Sequence, residues 1–145
     1  MEGGGQVEMS KNNSICHEMK KLLKEQRIIS GSDMKFQFIC RSKETDTIPF
    51  MLYPQELKKP FMAYHKGMTT PYFRLEKIDE EICCAVLSLL VAVDMDGDPV
   101  ELNDDFYALR KTKSCVIVNL NCFCVINPLS PELVNRPLPI IEPKK

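Results

Sequence analysis

Ser114 to Asn127 reads SCVIVNLNCFCVIN, the longest segment of the chain that fits only a β-strand. At period two, Val116, Val118, Leu120, Cys122, Cys124 and Ile126 share one face, and this face is wholly apolar. Cys115, Ile117, Asn119, Asn121, Phe123 and Val125 form the other face, which is mixed. This pattern predicts a strand with one side in a core and the other side partly wet or covered by another subunit.

A second passage repeats the pattern upstream. Tyr72 to Lys77 (YFRLEK) leads to Cys84 to Leu89 (CAVLSL), as Phe106 to Lys111 (FYALRK) leads to Cys115 to Leu120 (CVIVNL). The alignment predicts two similar hairpins with polar turns. Leu87 and Leu89 join Val116, Val118, Leu120 and Ile126 in the expected core. Cys84 and Cys115 take equivalent outward positions, while Cys83, Cys122 and Cys124 are expected as core thiols.

The rest of the chain frames these hairpins. Residues 1–12 are Gly-rich and polar and predict a disordered lead. Over residues 13–30, Ile15, Met19, Leu22, Leu23 and Ile29 recur near helical spacing, Asn13 or Ser14 offers a cap and Gly31 a stop. Cys16 lies at the edge of that stripe, within reach of a partner. The β domain is expected over residues 34–130. It includes strands at Lys35 to Arg41, Thr47 to Tyr53, Phe61 to Tyr64 and Val100 to Leu102, with a loop from His65 to Pro71. Pro49 places the second of these at a sheet edge, where its missing N–H is not needed. Prolines make residues 131–145 an extended tail. The expected fold is mainly β: a single-domain β-sandwich or jelly-roll-like barrel with one N-terminal helix.

A chain of 145 residues buries enough surface to fold without disulfides, so its seven cysteines require another explanation. No positively charged start followed by an apolar run marks a secretory signal, which implies synthesis in a reducing cytoplasm. The odd cysteine count leaves at least one thiol without an internal partner. Net charge of -1 and a pI near 6.1, with no basic stripe, argue against nucleic acid. The longest apolar run, Ile82 to Val93, suits a buried strand and is too short to span a bilayer as a helix.

Catalytic and metal chemistry find little support. His17 and His65 are the only imidazoles, and neither is placed beside a nucleophile by its element, so no enzyme and no small-molecule substrate are expected. Asp94, Asp96 and Asp98 alternate as in a calcium loop, but Pro99 and Asp105 stand where such a loop needs Gly and Glu. Cys83-Cys84 and Cys122-x-Cys124 are not the close pairs of a structural zinc site. No cofactor is expected. Cys16, Cys84 and Cys115 remain as candidates for intermolecular disulfides, with a soluble cysteine-based metal-binding or redox module as the alternative.

Asp46 to Phe50 (DTIPF), Tyr72 to Lys77, Cys84 to Leu90 (CAVLSLL) and Leu109 to Arg136 (LRKTKSCVIVNLNCFCVINPLSPELVNR) resemble the spore coat protein Z family of endospore-forming bacteria. The resemblance implies a structural protein made in the mother cell and deposited on the spore surface in the coat, crust or exosporium. There it would assemble with itself and with related coat proteins into a disulfide-hardened lattice. Relatives usually carry a further cysteine cluster after the first helix. They commonly have cysteine at position 128, where this chain has proline, and acidic residues at 117 and 119, where it has Ile and Asn. The departures imply fewer crosslinks and a less charged outer face.

Overall fold

A computed structural model describes residues 15–31, 45–55, 58–101 and 104–139. The expected lead, the strand at Lys35 to Arg41 with Cys40, and the last residues of the tail lie outside these. Helix α1 (Ile15–Ile29) buries Ile15, Met19, Leu22, Leu23 and Gln26. It ends at Gly31, whose φ of 81° supplies the left-handed cap and whose N–H donates to the Ile28 carbonyl at 3.0 Å.

Seven strands follow among the described residues: β1 (Phe50–Pro54), β2 (Ala63–His65), β3 (Met68–Thr70), β4 (Tyr72–Asp79), β5 (Cys84–Val93), β6 (Ala108–Asn119) and β7 (Phe123–Pro128). Five form one antiparallel sheet in the order β6-β5-β4-β1-β7, and β2 pairs with β3. Between β4 and β1 the only paired position is Phe50 with Phe73, so the sheet divides there into a β4–β5–β6 leaf and a β1–β7 leaf. β6 and β7 stand at opposite ends of the order, yet only a 3₁₀ turn, Leu120–Cys122, separates them in sequence. The two edges must therefore approach one another, and the leaves fold into a sandwich-like arrangement with α1 packed on β4, β7 and the turn.

Apolar burial fills the space between the leaves. Met19, Phe50, Leu52, Phe73, Leu75, Leu87, Leu89 and Leu120 are fully buried. Phe61 stacks on Phe73 at 5.5 Å and meets Phe123 edge-on at 5.4 Å, so one ring joins both leaves. On the opposite face of the large leaf, Leu90, Ala92 and Leu109 are covered by Val134 of the tail. That covering stops short of the half containing Cys84, Val86, Cys115 and Ile117.

Gln26 fills the gap where the leaves part. Continuing the Phe50–Phe73 register would set Ile48 against Leu75. Instead the Gln26 side chain stands between them, its Nε2 donating to the Leu75 carbonyl at 2.9 Å and its Oε1 accepting from the Ile48 N–H at 3.0 Å. Two buried backbone groups that have lost each other are both satisfied by one amide.

A polar network ties the segment before β1 and the tail to the large leaf. The Asp46 carboxylate accepts from Lys111 Nζ at 2.6 Å, Thr47 Oγ1 at 2.9 Å and Asn135 Nδ2 at 3.1 Å. Arg74 donates to Thr47 Oγ1 and pairs with Glu76 at 2.8 Å, and Glu76 also accepts from Ser88 Oγ at 2.6 Å. Partial burial raises both carboxyl pKa values. For Asp46 the bonds from Lys111 and Thr47 and the nearby cations outweigh it; for Glu76 the bonds from Ser88 and Arg74 do. Both groups end below their ordinary range.

Four expectations are corrected. Ser114 to Asn127 is not one strand: the Asn119 side chain accepts from the Asn121 N–H at 2.9 Å and starts the 3₁₀ turn, after which Phe123 faces in and Cys122 and Cys124 face out. The second hairpin is absent, because Thr112 to Ser114 is a bulge within β6. Ser88 pairs with Cys115 and Leu90 with Lys111, leaving two extra residues on β6, and Thr112 Oγ1 caps the Leu89 carbonyl at 2.8 Å. β1 begins after Pro49 and lies between β4 and β7, not at an edge. The loop at His65 to Pro71 contains a tight hairpin, whose turn uses Lys66 and Gly67 at φ of 47° and 87°.

Two outcomes follow from these contacts. Gln26→Leu keeps the volume but strands two buried backbone groups, and should lower unfolding free energy by about 2–5 kcal/mol at unchanged denaturant slope. A variant as stable as the parent would show that the amide is dispensable. Because the folded-state pKa values of Asp46 and Glu76 are depressed, their stabilisation is complete above the unfolded carboxylate values and is lost as pH falls through the folded ones. Thermal midpoints should hold from neutrality to about pH 5 and fall below about pH 4, less steeply in Asp46→Asn.

Candidate functional site

The cysteines are sorted by the turns on which they stand. Cys16 is the helix residue facing the β4–β5 turn, and its sulfur is bonded to that of Cys83, with Cα atoms 5.6 Å apart across 67 residues of sequence. One helical turn on, Lys20 reaches Glu80 of the same turn at 3.1 Å. Cys83 takes a left-handed φ of 57°, and its carbonyl accepts from the Leu120 N–H at 2.8 Å. Helix, hairpin turn and 3₁₀ turn are thereby joined at one point. Cys16, expected to link copies, is thus bonded within the chain, and Cys83, expected as a plain core thiol, is its partner. Both are half-buried against the core.

Four free thiols remain among the described residues: Cys84 is half-buried, and Cys115, Cys122 and Cys124 are exposed. Placing Cys122 and Cys124 in the core assumed an unbroken strand. After the turn at Leu120 it is Phe123 that enters the core, while Cys124 Sγ lies 3.8 Å from the Pro54 carbonyl at the surface. Of the other expected core residues, Leu87, Leu89 and Leu120 are fully enclosed, Val118 is buried, and Val116 and Ile126 are half-buried against the same cluster.

Cys84 and Cys115 lie on the outer face of the large leaf. In the β5–β6 register Cys84 is opposite Asn119, Val86 opposite Ile117 and Ser88 opposite Cys115. Ile117 is 75% exposed and Ile82, beside Cys84, 61% exposed. With Val86 and, opposite it, Lys77 they line a shallow groove along the sheet. Its apolar character was visible in the alternation, where Ile117 falls outward.

Elsewhere the structure gives local explanations. Asp94 Oδ1 accepts from the N–H groups of Asp96 at 2.9 Å and Asp98 at 3.0 Å, so this carboxylate shapes the turn. Its cluster with Asp96 and Asp98 is the one group of three or more converging His, Cys or acidic side chains among the described residues, and no cysteine takes part. His65 Nδ1 lies 2.8 Å from Ser114 Oγ and ties the small hairpin to the β6 bulge. His17 is exposed on α1. No described helix is long and apolar enough to cross a membrane. Gln26 went unnoticed in the sequence because its side chain is polar, although position 26 falls on the apolar stripe of Met19, Leu22 and Leu23.

The chain matches the profile of the family described as Spore coat protein Z over residues 13–131. It is 34% identical over 104 residues to Spore coat protein Z of Bacillus subtilis (strain 168), an alignment covering 63% of this chain and 68% of that one. No solved structure matches the chain. The family match spans the helix, both leaves and the outer thiols, and on it the chain belongs to the spore coat protein Z family.

Proposed function

We propose that this protein is a structural subunit of the outer layers of the bacterial endospore, joined to further copies and to related coat proteins by disulfides. One observation carries the proposal: four described thiols stand free at or near the surface of a sandwich whose core does not need them. An exposed thiol is available for exchange once its surroundings turn oxidising, whereas a buried one contributes packing. Family membership supports placement on the spore surface, whether coat, crust or exosporium. Synthesis in the reducing mother-cell cytoplasm, followed by crosslinking after release, agrees with thiols left outside. A structural role without catalysis is the corresponding reading for Cys84, Cys115, Cys122 and Cys124, since His17 is exposed on α1 and the His65 Nδ1 is engaged with Ser114 Oγ.

Purified protein under oxidising conditions should form large ordered assemblies visible by electron microscopy and a ladder of bands on a non-reducing gel that collapses with reductant. Protein that stays monomeric at high concentration under oxidising conditions would overturn the proposal. In the same reductant series the subunit itself should become easier to unfold. Opening Cys16–Cys83 frees a loop closed across 67 residues, worth about 4 kcal/mol on the chain-entropy account.

A further inference from the structure

We infer that the hollow between the β2–β3 turn and the β6 bulge is a binding site for a small multivalent anion whose charge is carried on phosphate or carboxylate oxygens. The inference uses no cysteine and goes beyond the crosslinking role proposed above.

Positive charge is concentrated at this point of the fold. Over the whole chain 19 lysines and arginines are matched by 20 carboxylates. Yet His65, Lys66, Arg110, Lys111 and Lys113 all line one hollow of about 370 Å³, and no acidic residue among the described ones does. Two local backbone features assemble the group. β2 and β3 are joined through Lys66 and Gly67, whose φ values of 47° and 87° make a tight turn with Lys66 in it. On β6 the register passes from Lys111, opposite Leu90, to Cys115, opposite Ser88, so Lys113 in the middle of the bulge has no partner position on β5. His65 Nδ1 lies 2.8 Å from Ser114 Oγ and holds the turn against the bulge.

Not all of these cations are free. Lys111 Nζ is bonded to Asp46, and Arg110 Nη1 donates to the Gly97 carbonyl at 3.2 Å. Lys66 and Lys113 are exposed and pair with no carboxylate among the described residues. Glu101 and Asp104 line the adjoining hollow, which shares only His65, Met68 and Val91 with this one. A concave surface lined by one sign of charge focuses its field and attracts the opposite sign. With His65 Nδ1 committed to Ser114, Nε2 is the ring nitrogen left to meet a ligand. Two unpaired ammonium groups match a ligand of charge two or more. Each ammonium is a point charge with three rotatable donors, so the pair accepts tetrahedral phosphate and planar carboxylate oxygens alike. The volume is near the lower end of ligand sites, about 300–1,000 Å³, which fits a small molecule. Bound there, the anion joins Lys66 of the small hairpin to Lys113 of the large leaf and stabilises the folded chain increasingly as its concentration rises.

The test titrates pyrophosphate and, separately, citrate into the full chain by calorimetry at one fixed, low ionic strength, because salt screens exposed charges. Saturable binding of at least one is expected, with a thermal midpoint that rises with its concentration, and the tighter of the two tells phosphate from carboxylate. Lys66→Ala and Lys113→Ala should each weaken binding about tenfold. Lys113→Arg should retain it, and Lys24→Ala, on the exposed side of α1, should leave it unchanged. Hydrogen exchange read by mass spectrometry should show protection by the anion confined to residues 63–70 and 108–115. Saturation by neither anion would overturn the assignment. So would parental affinity in folded Lys66→Ala or Lys113→Ala, equal weakening by Lys24→Ala, or protection elsewhere in the chain.

Discussion

Gln26 is the constraint on which the rest of the sandwich depends. A sheet that opens between two strands leaves unpaired N–H and C=O groups where no water reaches, each costing about 1–3 kcal/mol. Here the opening falls between Ile48 and Leu75, and a single side-chain amide serves both groups. The strands can then splay by the width of that amide, while Met19 and Leu22 of the same helix are buried in the core. Helix and sheet are therefore mutually dependent: α1 is held by apolar burial, and the sheet divides only because α1 brings the amide. At the other end of the helix, Cys16 and Lys20 fasten it to the β4–β5 turn, so it is fixed at two points along its length.

Much of this was legible in the residues. Alternation gave the inward faces of β5 and β6 through Leu120, the β4–β5 hairpin and the helix, because a buried face imposes its period on every residue it includes. It failed where a polar side chain bonds its own backbone. At Asn119 the carboxamide captures the Asn121 N–H and turns the chain, so Phe123 goes in and Cys122 and Cys124 go out, until the register shift opposite Tyr53 and Pro54 returns Ile126 to the core. At Thr112 the same kind of residue has the reverse effect. Thr-Lys-Ser reads as a turn, yet the Thr112 hydroxyl bonds the carbonyl of Leu89 across the strands and holds β6 continuous. Whether such a side chain bonds locally or across strands depends on tertiary position, which period and composition do not contain.

The sulfurs divide by the same geometry. Cys16 and Cys83 meet because helix register and a left-handed turn residue bring them together, and their bond serves the fold. Cys84, the next residue, begins a strand whose alternation turns it to the outer face. Adjacent cysteines thus take different roles through one step of backbone, and a count of cysteines could not have separated them.

The two edges of the large sheet and its outer face differ in how they are protected. An open strand edge pairs readily with another chain unless charge, proline or a bulge interrupts it. Edge strand β6 carries Lys111 and Lys113 around its bulge, and edge strand β7 begins on a 3₁₀ turn and ends at Pro128. Both edges are therefore poor templates for strand addition. The outer face is different: it is covered by Val134 at one half and open at the other, with Val86 and Ile117 paired at the centre of the open half. Around that open half both signs are present: Asp79 and Lys77 on β4 stand beside Cys84 and Val86, and the Glu76–Arg74 pair lies by Ser88, opposite Cys115.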